Sequence, residues 1–169
     1  MEASEKLVES YMRFCKKSFT IPNIKCKGNS EIDLLAISSE GLKYHIEVSI
    51  STSTGFAKLR STDFRTLNDR ASQRRCITWI IPNKFNKPVI IEKLKEHGFQ
   101  GNSYQKVIVS NGWNDDVEPI ANRKNILLWD IKDLIKEMID KMSNHTLYLS
   151  DDILRLFQVL VKTNFLTNK

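Results

Sequence analysis

Residues 31–50 read EIDLLAISSEGLKYHIEVSI, and acids interrupt both of its apolar runs. Glu31 and Asp33 open the first run, and Glu47 lies inside the second. Carboxylates are depleted in strands. Two of them at close quarters repel and raise each other's pKa unless a cation lies between them. A divalent metal is the simplest such cation, and Mg²⁺ takes one or two carboxylates together with waters and phosphate oxygens. The chemistry this predicts is metal-assisted work on a phosphate, with His45 and Ser49 near Glu47 as further polar groups.

The two runs must be arranged to bring the acids together. Glu31–Ile37 and Leu42–Ser51 read as strands, and the connector SSEG is short enough for a hairpin, so they pair antiparallel. A strand's period of two then sorts the side chains. His45, Glu47, Ser49 and Ser51 share one face of the second strand, with Tyr44, Ile46, Val48 and Ile50 on the other. On the first strand Glu31, Asp33, Leu35 and Ile37 share a face, opposite Ile32, Leu34 and Ala36. Asp33 and Glu47 can therefore meet on one face of the hairpin.

A helix over residues 3–18 precedes the hairpin, its apolar stripe formed by Leu7, Val8, Tyr11, Phe14 and Cys15. Thr20–Lys27 reads as a strand and Gly28-Asn29 as a turn. After the hairpin, residues 52–56 are a Ser/Thr/Gly-rich loop, and a basic helix is expected within 57–74. Cys76–Ile81 reads as a strand, 82–88 as a loop with Pro82 and Pro88, and Val89–His97 as a helix ending at Gly98. Lys106–Ser110 and Ile126–Trp129 are strands, the latter running straight into a helix over Ile131–Met142. This order predicts an α/β fold with a mixed central sheet flanked by helices. Residues 1–142 form the expected domain, and 143–169 a linker followed by a helix over Asp151–Asn164, with Ser150 as its cap. That last helix either packs on the domain or makes a homodimer contact.

Composition bounds the function. The 169 residues suffice for one domain with a core, and 41% apolar with 27% charged content is ordinary for a soluble protein. No apolar run is long enough for a membrane span, and the polar, acidic start does not read as a secretory signal. Cys15, Cys26 and Cys76 are odd in number and far apart, which argues against a disulfide framework and for a cytoplasmic setting. The net charge of +6 is concentrated: residues 51–75 hold six basic side chains against two acidic ones. These are Lys58, Arg60, Arg65, Arg70, Arg74 and Arg75, a candidate phosphate-binding surface. Trp79 and Trp129 read as core; Trp113, in the polar loop NGWNDD, is the one tryptophan placed to stack on a base.

The run G-N-x-E-I-D-L-L-A-I, followed by I-E-V and preceded by a helix with an early glutamate, resembles the PD-(D/E)XK nuclease superfamily. The nearest likeness is to its Holliday-junction-resolvase and Mrr-like restriction-endonuclease branches, over roughly residues 3–60. The resemblance implies a restriction-endonuclease-like core and a DNA endonuclease that needs Mg²⁺, with Mn²⁺ as an alternative. It implies Asp33, Glu47 and the Val48 carbonyl as metal ligands and Glu5 as the helix glutamate. Where the family has a lysine, this chain has Ser49. A serine can hydrogen-bond a water but brings no positive charge. Lys58 is the first candidate for a substitute, followed by Lys25 or Lys27, and by His45. The alternative is a nuclease fold that has lost cleavage and retains binding to DNA or a protein. An α/β assembly domain with a merely solvated basic helix is the third reading.

Overall fold

The computed structural model describes residues 2–51, 58–101, 103–147, 149–163 and 165. The chain begins with helix α1 (Ala3–Phe14), which ends earlier than its apolar stripe predicts. Lys17 takes a left-handed conformation, and the Ser18 N–H returns to the Met12 carbonyl at 3.0 Å, closing the helix. Strands β1 (Phe19–Cys26), β2 (Ser30–Ile37) and β3 (Lys43–Ser49) follow, antiparallel in that order. The predicted hairpin is present, with Ile37 opposite Lys43 and Gly41 at φ +82° in the turn. The expected loop over 52–56 lies outside the described residues.

Next come two short helices, α2 (Arg70–Arg74) and α3 (Ile77–Ile80). A π-helical turn over Ile81–Phe85 continues α3, and α4 (Pro88–Glu96) follows it. Strand β4 (Gln105–Ser110), helix α5 (Val117–Arg123), strand β5 (Ile126–Asp130), and helices α6 (Ile131–Ser143) and α7 (Asp152–Lys162) complete the chain. The sheet order is β1-β2-β3-β4-β5, with β4 parallel to β3 and β5 parallel to β4. The fold is thus α/β, a five-stranded mixed sheet flanked by helices. Among the described residues no helix is long and apolar enough to cross a membrane.

Helices cover both faces, which explains why Ile32 to Ala36 are buried without interruption. Helices α1, α6 and α7 pack over Leu34, Ala36, Ile46, Val107 and Val109. Leu154 and Val161 seat α7 in that layer, and Asp151, rather than Ser150, caps it by accepting the Leu154 N–H. The other face is covered by α3 and α5 against Ile108 and Ile126, and by α4 against Ile24, Ile32 and Leu35. Trp113 packs against the Ile108 cluster, so it is not the exposed stacking residue that its polar loop suggests.

Two expectations are overturned. The stretch expected as a strand over Cys76–Ile81 is helical from Ile77 on, with Cys76 extended as its cap: Ile77 and Ile80 are buried while Thr78 and Trp79 are partly exposed, a helical spacing that outweighs the β-propensity of its isoleucines. The continuous basic helix is also absent. Leu59 and Arg60 are extended, bridging to Trp113 and Cys76, and a 3₁₀ turn occupies Phe64–Thr66. Asp63 and Asp69 break the segment, because each carboxylate accepts a nearby backbone N–H and starts a new turn.

Ile108, fully buried on a strand paired on both sides, measures how much the sheet depends on its helical cover. Ile108→Ala is expected to cost about 2–5 kcal/mol in urea unfolding, and a cost below ~1 kcal/mol would contradict this placement of the core.

Candidate active site

The pairing of β2 with β3 ends at Leu34–Ile46, and Asp33 and Glu47 stand one step beyond it. The β1–β2 ladder also skips Asp33, where the opposite residue, Asn23, is left-handed at φ +51°. The sheet therefore opens at Asp33. Its carboxylate takes over some of the lost pairing, because Oδ2 accepts the Val48 N–H at 2.8 Å. Asp33 and Glu47 are 5% and 2% exposed, so neither is solvated as an edge-strand charge would be.

Their cation is Lys84. Its Nζ lies 2.7 Å from Asp33 Oδ1 and 2.8 Å from Glu47 Oε2, and it donates more weakly to the Glu31 carbonyl at 3.3 Å. Lys84 belongs to the π-helical turn, where Asn86 N–H reaches back five residues to the Ile81 carbonyl at 3.0 Å. Such turns are wider than an α-helical one. Around it, the Asn83 amide donates to the Trp79 carbonyl at 2.8 Å, and Lys87 Nζ donates to Ser30 Oγ at 2.6 Å, tying the turn to the start of β2.

Glu47 has a second partner in His45, two residues earlier on the same face, with Nε2 2.8 Å from Oε1. Burial holds the imidazole neutral, its pKa lowered to about 3. The carboxylates move the other way. Burial first, and then the charge of Glu47, raises Asp33 to about 7; burial likewise raises Glu47 to about 7, against the pull of Lys84. Lys84 is held firmly charged by the two acids. One ammonium balances one carboxylate, and with both acids raised to about 7 the second takes its full charge only as pH rises above neutral.

The acids and Lys84 line a cleft of about 440 Å³ at this end of the sheet. Glu5 lines it from α1, where its carboxylate also caps the helix by accepting the Glu2 N–H at 3.0 Å. Glu5, Glu31 and Asp33 each offer an oxygen within 4.8 Å of the others, although Glu31 is also paired with Lys25. Of the basic candidates, Arg74 and Arg75 line the cleft. Arg75 reaches Ser51 Oγ and Ser72 Oγ, both at 3.2 Å. Arg60 pairs through its backbone with Cys76 and does not line the cleft, and Arg65 and Arg70 are exposed outside it.

The substitute lysines read from sequence are not the ones delivered. Lys58 lies beside Gly112, after β4, and does not line the cleft. Lys25 is engaged with Glu31, and Lys27 faces α4 around a separate shallow hollow. Ser49 lines the cleft and donates to the Arg74 carbonyl at 3.4 Å. Lys84 was hidden because 82–88 reads as a loop. Read as a helix, residues 77, 80 and 84 share one stripe, and a lysine on a buried stripe signals a paired charge.

The oxygen donors suit a hard divalent cation. Glu47 Oε2 is buried and faces Lys84 without a well-directed hydrogen bond, so a lone pair remains available there. Among the described residues the carboxylates of Glu5, Glu31 and Asp33 are close enough together to hold such an ion, while Glu47 stands outside that set, paired with Lys84 and His45. Comparison with protein-family models, curated proteins and solved structures finds no match to this chain.

Removing the ammonium tests this electrostatic picture. In metal-free buffer, Lys84→Met is expected to cost about 3–5 kcal/mol of stability near neutral pH. Carboxyls whose folded pKa lies above the unfolded value lend stability below about pH 4 and lose it as pH rises through about 7. The Lys84→Met penalty in urea unfolding should therefore be smaller at about pH 5 than at about pH 8; an equal penalty at both would contradict the paired-charge account.

Proposed function

We propose that this chain is a metal-dependent phosphodiesterase acting on DNA, of the PD-(D/E)XK type with a restriction-endonuclease-like core. In this reading Lys84 replaces the lysine missing at Ser49. The observation that carries it is the single ammonium held 2.7 and 2.8 Å from the two acids of the motif. The sheet order, with an antiparallel hairpin carrying Asp33 and Glu47 and parallel strands beyond it, supports the same reading.

Asp33, Glu47 and the Val48 carbonyl would hold Mg²⁺ or Mn²⁺, with Glu5 at the rim. A metal bound there polarises a phosphate and lowers the pKa of its water. The chain's own groups divide the remaining work. Lys84, fixed by two carboxylates, directs its third N–H weakly at the Glu31 carbonyl, so that proton is free to turn to a phosphate oxygen or an attacking water. Arg74, Arg75 and Lys87 line the same cleft and bind backbone phosphates without reading sequence. Ser49 orients polar groups at the mouth without supplying charge.

A second reading is a DNA-binding module without cleavage. It is favoured by Lys84 itself, which occupies the gap between the carboxylates and partly neutralises them.

Labelled duplex, flap and four-way-junction DNA, offered with Mg²⁺ or Mn²⁺, separates the two. Cleavage should fall by at least about 10²-fold in Asp33→Ala, Glu47→Ala and Lys84→Met, while Ser49→Ala and Lys58→Ala stay within about threefold. Cleavage that depends on Lys58 and not on Lys84 would contradict the assignment. Salt-sensitive DNA retention with no cleavage in any condition would favour the binding module.

A further inference from the structure

His45 has so far entered only as a hydrogen-bond partner of Glu47, and its surroundings are unusual for a residue that only packs. It is 0% exposed. Phe85 meets its ring edge-on, with centroids 4.8 Å apart and planes at 71°, and Tyr104 lies tilted at 6.2 Å. Nε2 lies 2.8 Å from Glu47 Oε1, while Nδ1 is buried without a hydrogen-bond partner. With Glu47 ionised its oxygen can only accept, which puts the proton on Nε2 and leaves a bare lone pair on Nδ1. Leucine or phenylalanine would fill this space without burying a bare Nδ1, but would leave Glu47 Oε1 without its donor.

We propose that His45 is a positioning residue for Glu47, holding Oε1 through Nε2–H so that Oε2 faces Lys84 and an incoming divalent cation. The inference rests on the reading of Asp33 and Glu47 as metal ligands. The π-helical turn fixes both oxygens of Glu47 at once. Phe85 clamps the imidazole that holds Oε1, and the adjacent Lys84 pairs with Oε2. A histidine that donates to a ligating carboxylate fixes the carboxylate's direction, and such outer partners are worth about 10–100-fold in metal affinity.

The test is Mn²⁺ binding by calorimetry on the full chain, comparing wild type with His45→Leu, His45→Gln and Glu47→Ala. Gln places an amide donor near the position of Nε2, whereas Leu packs without one. Binding is expected to weaken about tenfold or more in His45→Leu and to stay within about threefold in His45→Gln. Binding lost in Glu47→Ala but unchanged in His45→Leu would overturn this inference alone. Binding that is absent from wild type, or that survives Glu47→Ala, would overturn the metal site together with it. Should His45→Leu not fold, ¹⁵N spectra of the wild-type ring decide. The proposal requires a neutral Nε2–H tautomer whose Nε2 resonance moves as Mg²⁺ is added. An Nδ1–H tautomer, or ring resonances indifferent to Mg²⁺, would overturn it.

Discussion

The ammonium of Lys84 between the buried carboxylates of Asp33 and Glu47 is the interaction on which this end of the molecule depends. Placing two acids inside a sheet covered on both faces is costly unless charge and hydrogen bonds meet them there. Local features of the chain answer that demand. The β2–β3 ladder ends one step before the acids, which leaves the Val48 N–H to donate to Asp33. Asn23 bends β1 opposite the same residue. A π-helical turn, rather than another turn of α-helix, carries Lys84 and Phe85 onto the end of the hairpin where Asp33 and Glu47 lie.

Charge counting explains why this ion pair points to more than stability. Two carboxylates share one ammonium, and the histidine beside them is neutral. Burial keeps both carboxyls above their usual range, and the charge of Glu47 adds to that at Asp33. A purely structural ion pair would balance its charges. This one balances only one of its acids, so negative charge builds as pH rises above about 7, at a cleft that Arg74, Arg75 and Lys87 also line. An acid side that attracts a divalent cation and a basic side that attracts phosphate are what the proposed phosphodiesterase needs.

The hairpin and the meeting of Asp33 with Glu47 are legible from the sequence because strand periodicity and a short turn are local rules. The α/β class follows from the alternation of elements in the same way. The segment between β3 and β4 is less legible. The run CITWIIPNKF is too short and too rich in isoleucine for periodicity to separate strand from helix, and Pro82 points to a loop. With the turn misread, a lysine 51 residues from Asp33 in the chain has no reason to be placed beside it. The basic segment fails for a related reason. Its charge pattern suits one helix face, but Asp63 and Asp69 satisfy local N–H groups and divide it. Of its six basic residues, Arg74 and Arg75 line the cleft.

The most direct test is a double-mutant cycle in metal-free urea unfolding, combining Lys84→Met with Asp33→Asn and, separately, with Glu47→Gln. If one ammonium holds both acids, each neutral substitution should recover part of the Lys84→Met loss, with coupling energies of about 1.5–3 kcal/mol. Costs that add to within about 0.5 kcal/mol would show the three side chains to be energetically independent. That result would contradict the account of the site.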